Sequence, residues 1–211
     1  MVDKITVNTQ SSIRIEGEKV IYSDPLDIKE KTGDADIVFI THDHYDHFSP
    51  EDIEKVMNEG TIFAVPRSIA HKVAESGIPS EKIKALDPGE KTEICGIPVE
   101  TVPAYNINKR FHVRSSGWLG YIVTVGGKRI YLAGDTDANE DVKAVKCDIA
   151  MIPIGGTYTM NYKEAAELVN IIKPETVIPI HYGSIVGSLR DADDFAALVG
   201  EQTRTVKKLE G

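Results

Sequence analysis

The stretch His42-Asp43-His44-Tyr45-Asp46-His47 decides how this sequence is interpreted, because it places three imidazoles and two carboxylates within six residues. It follows residues 36–41, whose β-branched and aromatic side chains predict a buried strand. Imidazole and carboxylate groups suit zinc, iron or manganese, and a cluster without thiolates argues against a structural cysteine site. Three of the six histidines lie here, which disfavours a chance surface loop. The sequence therefore predicts a metal site at the end of a strand.

Two later segments place similar groups after strand-like runs. Gly134-Asp135-Thr136-Asp137 follows residues 128–133, and His181 follows residues 176–180. With the His-x-His-x-Asp-His spacing, these segments resemble the metallo-β-lactamase superfamily, metal-dependent hydrolases with one or two metals between two β-sheets. The resemblance extends over nearly all 211 residues. The chain looks most like the small stand-alone branch that includes ascorbate-6-phosphate lactonase-like proteins and, more distantly, the phospholipase D that cleaves N-acyl phosphatidylethanolamines.

The resemblance implies a set of imidazole and carboxylate ligands: His42, His44, Asp46, His47, Asp135 and His181. His42 and His44 are expected to bind one metal, since alternate residues of an extended segment point the same way. Asp46 and His47 would face a second metal, which His181 completes. Asp135 would bridge the two cations, although a simple turn role for it stays open. Asp46 is also the predicted catalytic residue, orienting the attacking water or carrying a proton to the leaving group.

The third ligand of the first metal departs from the family pattern. The family usually has a histidine in a context like Pro-Ala-x-His, and the matching residue here is Asn106, a poor zinc ligand. His112 lies six residues further on and is predicted to take its place. The alternative is that His112 is a loop residue that binds no metal. If His112 is the ligand, Asn106→His is expected to be tolerated.

Asp24 precedes Pro25 at the end of a predicted strand and resembles a recurrent acidic position near the superfamily's site. It is expected to hold a ligating histidine in one tautomer through a hydrogen bond. A turn-forming aspartate before proline is the equally weighted alternative.

The remaining pattern predicts one α/β domain over residues 1–211. Five strands between residues 82 and 132 are expected to be antiparallel, with Gly126-Gly127 as a two-residue hairpin turn. Helices and strands alternate after residue 132. Strand-rich blocks with helices outside them indicate an αββα sandwich, in which two mixed β-sheets face each other and are flanked by helices.

Composition and charge bear on partners and location. The net charge of -9 disfavours nucleic-acid and anionic membrane partners, because both are bound through lysine and arginine. A cytoplasmic protein is predicted, because no apolar leader follows Met1. The only cysteines, Cys95 and Cys147, are both expected to be buried free thiols, which agrees with a reducing compartment. The sequence leaves a homo-oligomer open.

Together these features predict a metal-dependent hydrolase that uses a metal-activated water on a small-molecule substrate, namely an ester, lactone or phosphoester. Two Zn²⁺ ions are the expected cofactors, with Mn²⁺ or iron as alternatives. An iron-dependent redox enzyme of the same fold and a metal-binding protein without catalysis are the other functions that the residues allow. The substrate itself is not named by the sequence, because specificity lies in loops that vary between members of one fold.

Overall fold

The computed structural model describes residues 1–209, in which thirteen strands form two sheets. The first sheet contains β1 (Ile5–Val7), β2 (Ile13–Glu16), β3 (Val20–Ser23), β4 (Ile37–Phe39), β5 (Ile62–Pro66) and β6 (Ile83–Leu86). These six strands are ordered as in the chain. β1 to β3 pair antiparallel, and β3 to β6 pair parallel.

The second sheet contains β7 (Lys91–Ile94), β8 (Ile97–Pro103), β9 (Leu119–Val125), β10 (Lys128–Leu132), β11 (Ile149–Pro153), β12 (Thr176–Ile180) and β13 (Arg204–Thr205). These seven strands also follow one another across the sheet in chain order. β7 to β10 pair antiparallel, and β10 to β13 pair parallel. Both sheets are therefore mixed, as predicted.

One predicted strand pairing is wrong. β6 was expected to begin the antiparallel group, but it lies parallel to β5 at the edge of the first sheet. A helix, α2 (Ala70–Glu75), connects the two strands, and a helical crossover returns the chain in the same direction. The predicted hairpin between β9 and β10 is confirmed, with Gly126 and Gly127 at φ +56° and +72°.

Alternating side chains divide the core into layers. Ile37 and Phe39 of β4 pack between the sheets, whereas Val38 packs on the outer face of the first sheet. Helices α1 (Pro50–Val56) and α2 cover that face. The outer face of the second sheet is covered by α3 (Glu140–Lys143), α4 (Tyr162–Ile172) and α5 (Asp191–Leu198). The predicted αββα sandwich is therefore confirmed, and no described helix is long and apolar enough to cross a membrane.

The two cysteines differ in environment. Cys95 is exposed in the turn between β7 and β8, so the expectation of a buried thiol is wrong there. Cys147 is half-buried, and this burial raises the pKa of its thiol to about 12.

Two hydrogen bonds join the sheets just after β4, where the histidine-rich stretch begins. The Tyr121 hydroxyl of β9 donates to the Ile40 carbonyl at 2.7 Å. The Leu119 N–H donates to the Thr41 carbonyl at 3.2 Å. Burial raises the pKa of Tyr121 well above its ordinary value, so the hydroxyl stays a donor at neutral pH. The end of β4 is thus fixed against the second sheet.

Tyr121→Phe should lower the free energy of unfolding by about 1–3 kcal/mol, because it removes the donor to a buried carbonyl. Tyr131→Phe is the matched control: its hydroxyl is also buried but has no hydrogen-bond partner within residues 1–209. We expect no loss of stability in that variant. Urea unfolding of the metal-free protein measures both, and equal destabilisation would contradict the role given to Tyr121.

Candidate metal centre

The candidate ligands lie in loops at the carboxyl ends of strands from both sheets. Asp24 follows β3, and residues 42–47 follow β4 in the first sheet. Asp135 follows β10, and His181 follows β12 in the second sheet. His112 comes from the loop between β8 and β9. Since the two sheets face each other, these strand ends deliver their side chains to one place.

The Asp135 carboxylate lies between two groups of imidazoles. Its Oδ2 is 3.2 Å from His112 Nε2. Its Oδ1 is 3.3 Å from His47 Nε2 and 3.4 Å from His181 Nε2. Each oxygen therefore faces a different group, an arrangement suited to an anion that separates two cations.

The first group consists of His42, His44 and His112. His42 Nε2 lies 3.0 Å from His44 Nδ1 and 3.4 Å from His112 Nε2. Trp118 packs against all three imidazoles, with ring centroids 4.7 to 5.3 Å away. The indole therefore forms an apolar wall that restricts the three rings.

The second group consists of Asp46, His47 and His181. Asp46 Oδ2 is 3.5 Å from His47 Nε2 and 3.3 Å from His181 Nε2. A turn separates this group from the first, since the His47 N–H donates to the His44 carbonyl at 3.0 Å. One short stretch thereby supplies donors to both groups.

Unpaired polar atoms show that a metal fits this arrangement. Within residues 1–209, His47 Nε2, His181 Nε2 and Asp135 Oδ1 are buried without a hydrogen-bond partner. Buried polar atoms in folded proteins are ordinarily satisfied. Nitrogen and oxygen donors that converge in this way suit zinc, manganese or iron rather than calcium or a thiolate-bound ion.

The pKa values of the site favour a bound cation. Burial lowers the pKa of His42 well below its ordinary value and also lowers that of His44, so both imidazoles are neutral donors. Burial opposes the charged form of His47, but the Asp135 and Asp24 carboxylates outweigh it and raise the pKa of His47 well above its ordinary value. A positive charge is therefore favoured beside these two carboxylates, and a divalent ion would replace the proton.

Asp24 supports His47 from the side opposite to the ligand groups. Its Oδ2 lies 2.8 Å from His47 Nδ1 and accepts a hydrogen bond from Thr41 Oγ1 at 2.6 Å. The Thr41 N–H donates to Asp24 Oδ1 at 2.8 Å. The predicted contact between Asp24 and a candidate ligand is present, and it leaves His47 Nε2 facing Asp135.

Three of the seven non-glycine residues with positive φ within residues 1–209 lie at this site. Asp24, His112 and His181 have φ values of +45°, +57° and +56°, which are uncommon for residues other than glycine. The His181 N–H donates to the Gln10 carbonyl at 2.9 Å. Gly155 packs so closely that a Cβ there would lie 2.3 Å from the His181 carbonyl oxygen. The sequence did not point to Gln10, because its contact is made by the backbone.

Asn106 organises the loop that carries His112. Its Nδ2 donates to the carbonyls of Phe111 at 3.1 Å and Tyr158 at 2.7 Å. Its backbone N–H donates to the His112 carbonyl at 2.7 Å. We therefore no longer expect Asn106→His to be tolerated. Each nitrogen of an imidazole carries at most one N–H, so histidine cannot reproduce the two hydrogen bonds that Asn106 Nδ2 donates.

Three other side chains able to bind a metal lie outside the two groups. His71 is exposed on α2. Asp43 pairs with Lys72, and Asp137 pairs with Lys109. The Asp137 pair holds the loop of Asn106 against the segment after β10.

Asn106→Ala should weaken metal binding about 10- to 100-fold, the loss typical of groups that orient a ligand. The reason is that His112 loses the hydrogen bonds that fix its loop. Asn108→Ala, an exposed change in the same loop, is the matched control and should leave affinity unchanged. Competition with a chromophoric chelator measures both affinities. Equal affinity of the Asn106 variant and the control would refute the role of Asn106.

Comparison with known proteins agrees with the fold. A family model described as a beta-lactamase superfamily domain matches residues 4–181. A UPF0173 metal-dependent hydrolase from Pyrococcus abyssi is 32% identical, and the alignment covers 96% of this chain and 95% of the relative. The crystal structure of a protein described as a metal-dependent hydrolase from Parabacteroides distasonis superposes with a TM-score of 0.80 at 29% identity, covering 98% of this chain and 93% of that one.

A more distant structure shares the fold. CmlA, a diiron β-hydroxylase from Streptomyces venezuelae, superposes with a TM-score of 0.76 at 14% identity, covering 98% of this chain and 52% of CmlA. The match to the family model and the identity to the Pyrococcus relative show the family of this chain. The chain belongs to the beta-lactamase superfamily and, within it, to the UPF0173 metal-dependent hydrolases.

Proposed function

We propose that this protein hydrolyses a small ester, lactone or phosphoester with metal ions held by His42, His44, His112, Asp46, His47, His181 and Asp135. The observation that carries the proposal is the Asp135 carboxylate, whose two oxygens face separate groups of donors at 3.2 to 3.4 Å. A single structural ion would not need a carboxylate directed to both sides.

Two zinc ions are the proposed cofactors, one for each group. Zinc held there would supply a Lewis acid that polarises the carbonyl or phosphoryl oxygen of the substrate, and would lower the pKa of a bound water to about 7. Manganese and iron accept the same nitrogen and oxygen donors, so the choice of metal depends on more than the ligand set.

Asp46 is the proposed catalytic residue. Burial opposes its ionisation, but the His181 imidazole 3.3 Å away and the charge of His47 hold the pKa of Asp46 below its ordinary value. Its carboxylate is therefore available at neutral pH to accept a hydrogen bond from the attacking water and orient it. Asp46 also borders a cavity of about 220 Å³ beside Asp135, which gives a small substrate access to both groups.

We also propose that the protein is cytoplasmic and acts on small molecules without a nucleic-acid or membrane partner. The two free thiols, Cys95 and Cys147, suit a reducing compartment. The net charge of -9 supports the choice of partners. Phosphate-rich surfaces are bound through clusters of lysine and arginine, and an acidic chain opposes that mode.

The test is turnover with defined metals. Protein purified without added metal is analysed by mass spectrometry, then loaded with zinc, manganese or iron and assayed on ester, lactone and phosphodiester substrates. We expect chelator-sensitive hydrolysis that His44→Ala lowers at least about 100-fold, since it deletes a proposed ligand. His71→Ala removes an exposed imidazole instead and should retain full activity.

Two outcomes would overturn the proposal. Iron with a coloured spectrum and no hydrolysis would favour the redox alternative, for which the diiron CmlA gives a precedent in the same fold. Stoichiometric metal without turnover of any substrate would favour a metal-binding protein without catalysis.

A further inference from the structure

Apolar side chains are exposed at the mouth of the metal site. Eight large hydrophobic residues are exposed within residues 1–209, and three of them, Tyr45, Phe111 and Ile185, line the cavity beside Asp135. The half-buried Tyr158 is the fourth apolar lining residue. Single exposed hydrophobic residues are common, but a group of them around a cavity marks a ligand-binding groove.

The aromatic part of this lining is held in place. The Phe111 and Tyr158 rings meet edge to face, with centroids 5.2 Å apart and an interplanar angle of 88°. The buried Asn106 amide donates to the backbone carbonyls of both residues. Because the two rings come from different loops, the Asn106 amide joins these loops and fixes the aromatic side of the cavity in the absence of a ligand.

No lysine or arginine is among the described residues that line the cavity. Its eight described lining residues are the four apolar ones and four proposed metal ligands. Among the neighbouring cations, Lys109 pairs with Asp137, Arg114 contacts Asp141 and the Tyr105 ring, and the exposed Arg110 does not line the cavity. Sites that select phosphate groups ordinarily use arginine or lysine for that purpose. This lining therefore favours a substrate without a phosphate.

We propose that the cavity formed with Tyr45, Phe111, Tyr158 and Ile185 is an acyl-binding subsite, and that the substrate is a small neutral carboxylic ester or lactone with an apolar acyl chain. This proposal rests on the hydrolytic function proposed above. The volume of about 220 Å³ is below the 300–1,000 Å³ of sites for drug-sized ligands, so the acyl chain is short.

Hydrolysis of the ester requires no co-reactant other than water. The water oxygen forms a bond to the acyl carbon, and the bond between that carbon and the alcohol oxygen breaks. The alcohol oxygen takes one proton from the water, and the acid is released. No oxidation or reduction occurs.

The first test is an acyl-length series with a constant leaving group. The metal-loaded protein is assayed on p-nitrophenyl acetate, butyrate and hexanoate and on p-nitrophenyl phosphate. We expect kcat/KM to rise up to about fourfold per added methylene, equal to ~0.8 kcal/mol, with the phosphate the poorest substrate. Phe111→Ala and Ile185→Ala should flatten the rise. Leu198→Ala, an exposed apolar change on α5, should preserve it.

A binding measurement separates this proposal from hydrolysis itself. Saturation-transfer NMR on the metal-free protein compares 2-hexanone, a ketone that cannot be hydrolysed, with acetone. We expect 2-hexanone to bind and Phe111→Ala to abolish its signal. Because Phe111 is 51% exposed, its truncation should not prevent folding, and a thermal melt checks this.

The outcomes are distinct. A flat acyl series, a preference for the phosphate, or absence of 2-hexanone binding would overturn the acyl subsite while leaving hydrolysis intact. Binding of 2-hexanone without turnover of any ester would contradict the hydrolytic function and leave the apolar subsite standing. A wild-type dimer that Phe111→Ala converts to monomer would mean that a second copy covers these side chains, and would also overturn the subsite.

Discussion

The site depends on one buried carboxylate. Asp135 is 3% exposed, and an ion of this kind costs several kcal/mol to desolvate unless partners compensate it. Burial alone would raise its pKa, but His181 and His47 reverse the effect and hold the pKa well below its usual range. The imidazoles in turn converge on its two oxygens from three different loops. Without the Asp135 carboxylate, the histidines of both groups would lose the negative charge that they face.

The scaffold holds this arrangement against unfavourable backbone geometry. Asp24, His112 and His181 are in the left-handed region, which costs of order 1–3 kcal/mol for each residue in a sparsely populated conformation. Each strained residue is restrained by hydrogen bonds: Asp24 by Thr41, His112 by the Asn106 N–H, and His181 by the Gln10 carbonyl. Strain of this kind persists only where the surrounding structure over-determines it. Here it places side chains from both sheets around Asp135.

The amino-acid sequence predicts most of the fold because its strands are clearly periodic and its turns carry glycine or proline. The positions of His42, Asp135 and His181 follow from the strands that precede them, since strand ends define where a loop begins. The pairing of β6 could not be predicted, because an isolated short strand does not specify its neighbour. The sequence predicted that His112 approaches the site, but its loop conformation depends on tertiary hydrogen bonds to Asn106.

The apolar side chains around the cavity also could not be predicted from the sequence. Tyr45, Phe111, Tyr158 and Ile185 are far apart in the sequence and have no shared periodicity. Only the packing of four loops makes them one surface. The role of Asn106 could not be predicted from the sequence either. It stands where the family usually has a metal-binding histidine, but its amide holds two of these loops together.

We infer that Asp135 lies between two metal ions when the site is loaded. Anomalous diffraction from crystals of the zinc-loaded protein, recorded on both sides of the zinc absorption edge, tests it most directly. We expect two peaks, one contacting His42, His44 and His112 and the other contacting His47 and His181, with Asp135 touching both. A single fully occupied peak, or two peaks with the Asp135 carboxylate turned away from either of them, would contradict it.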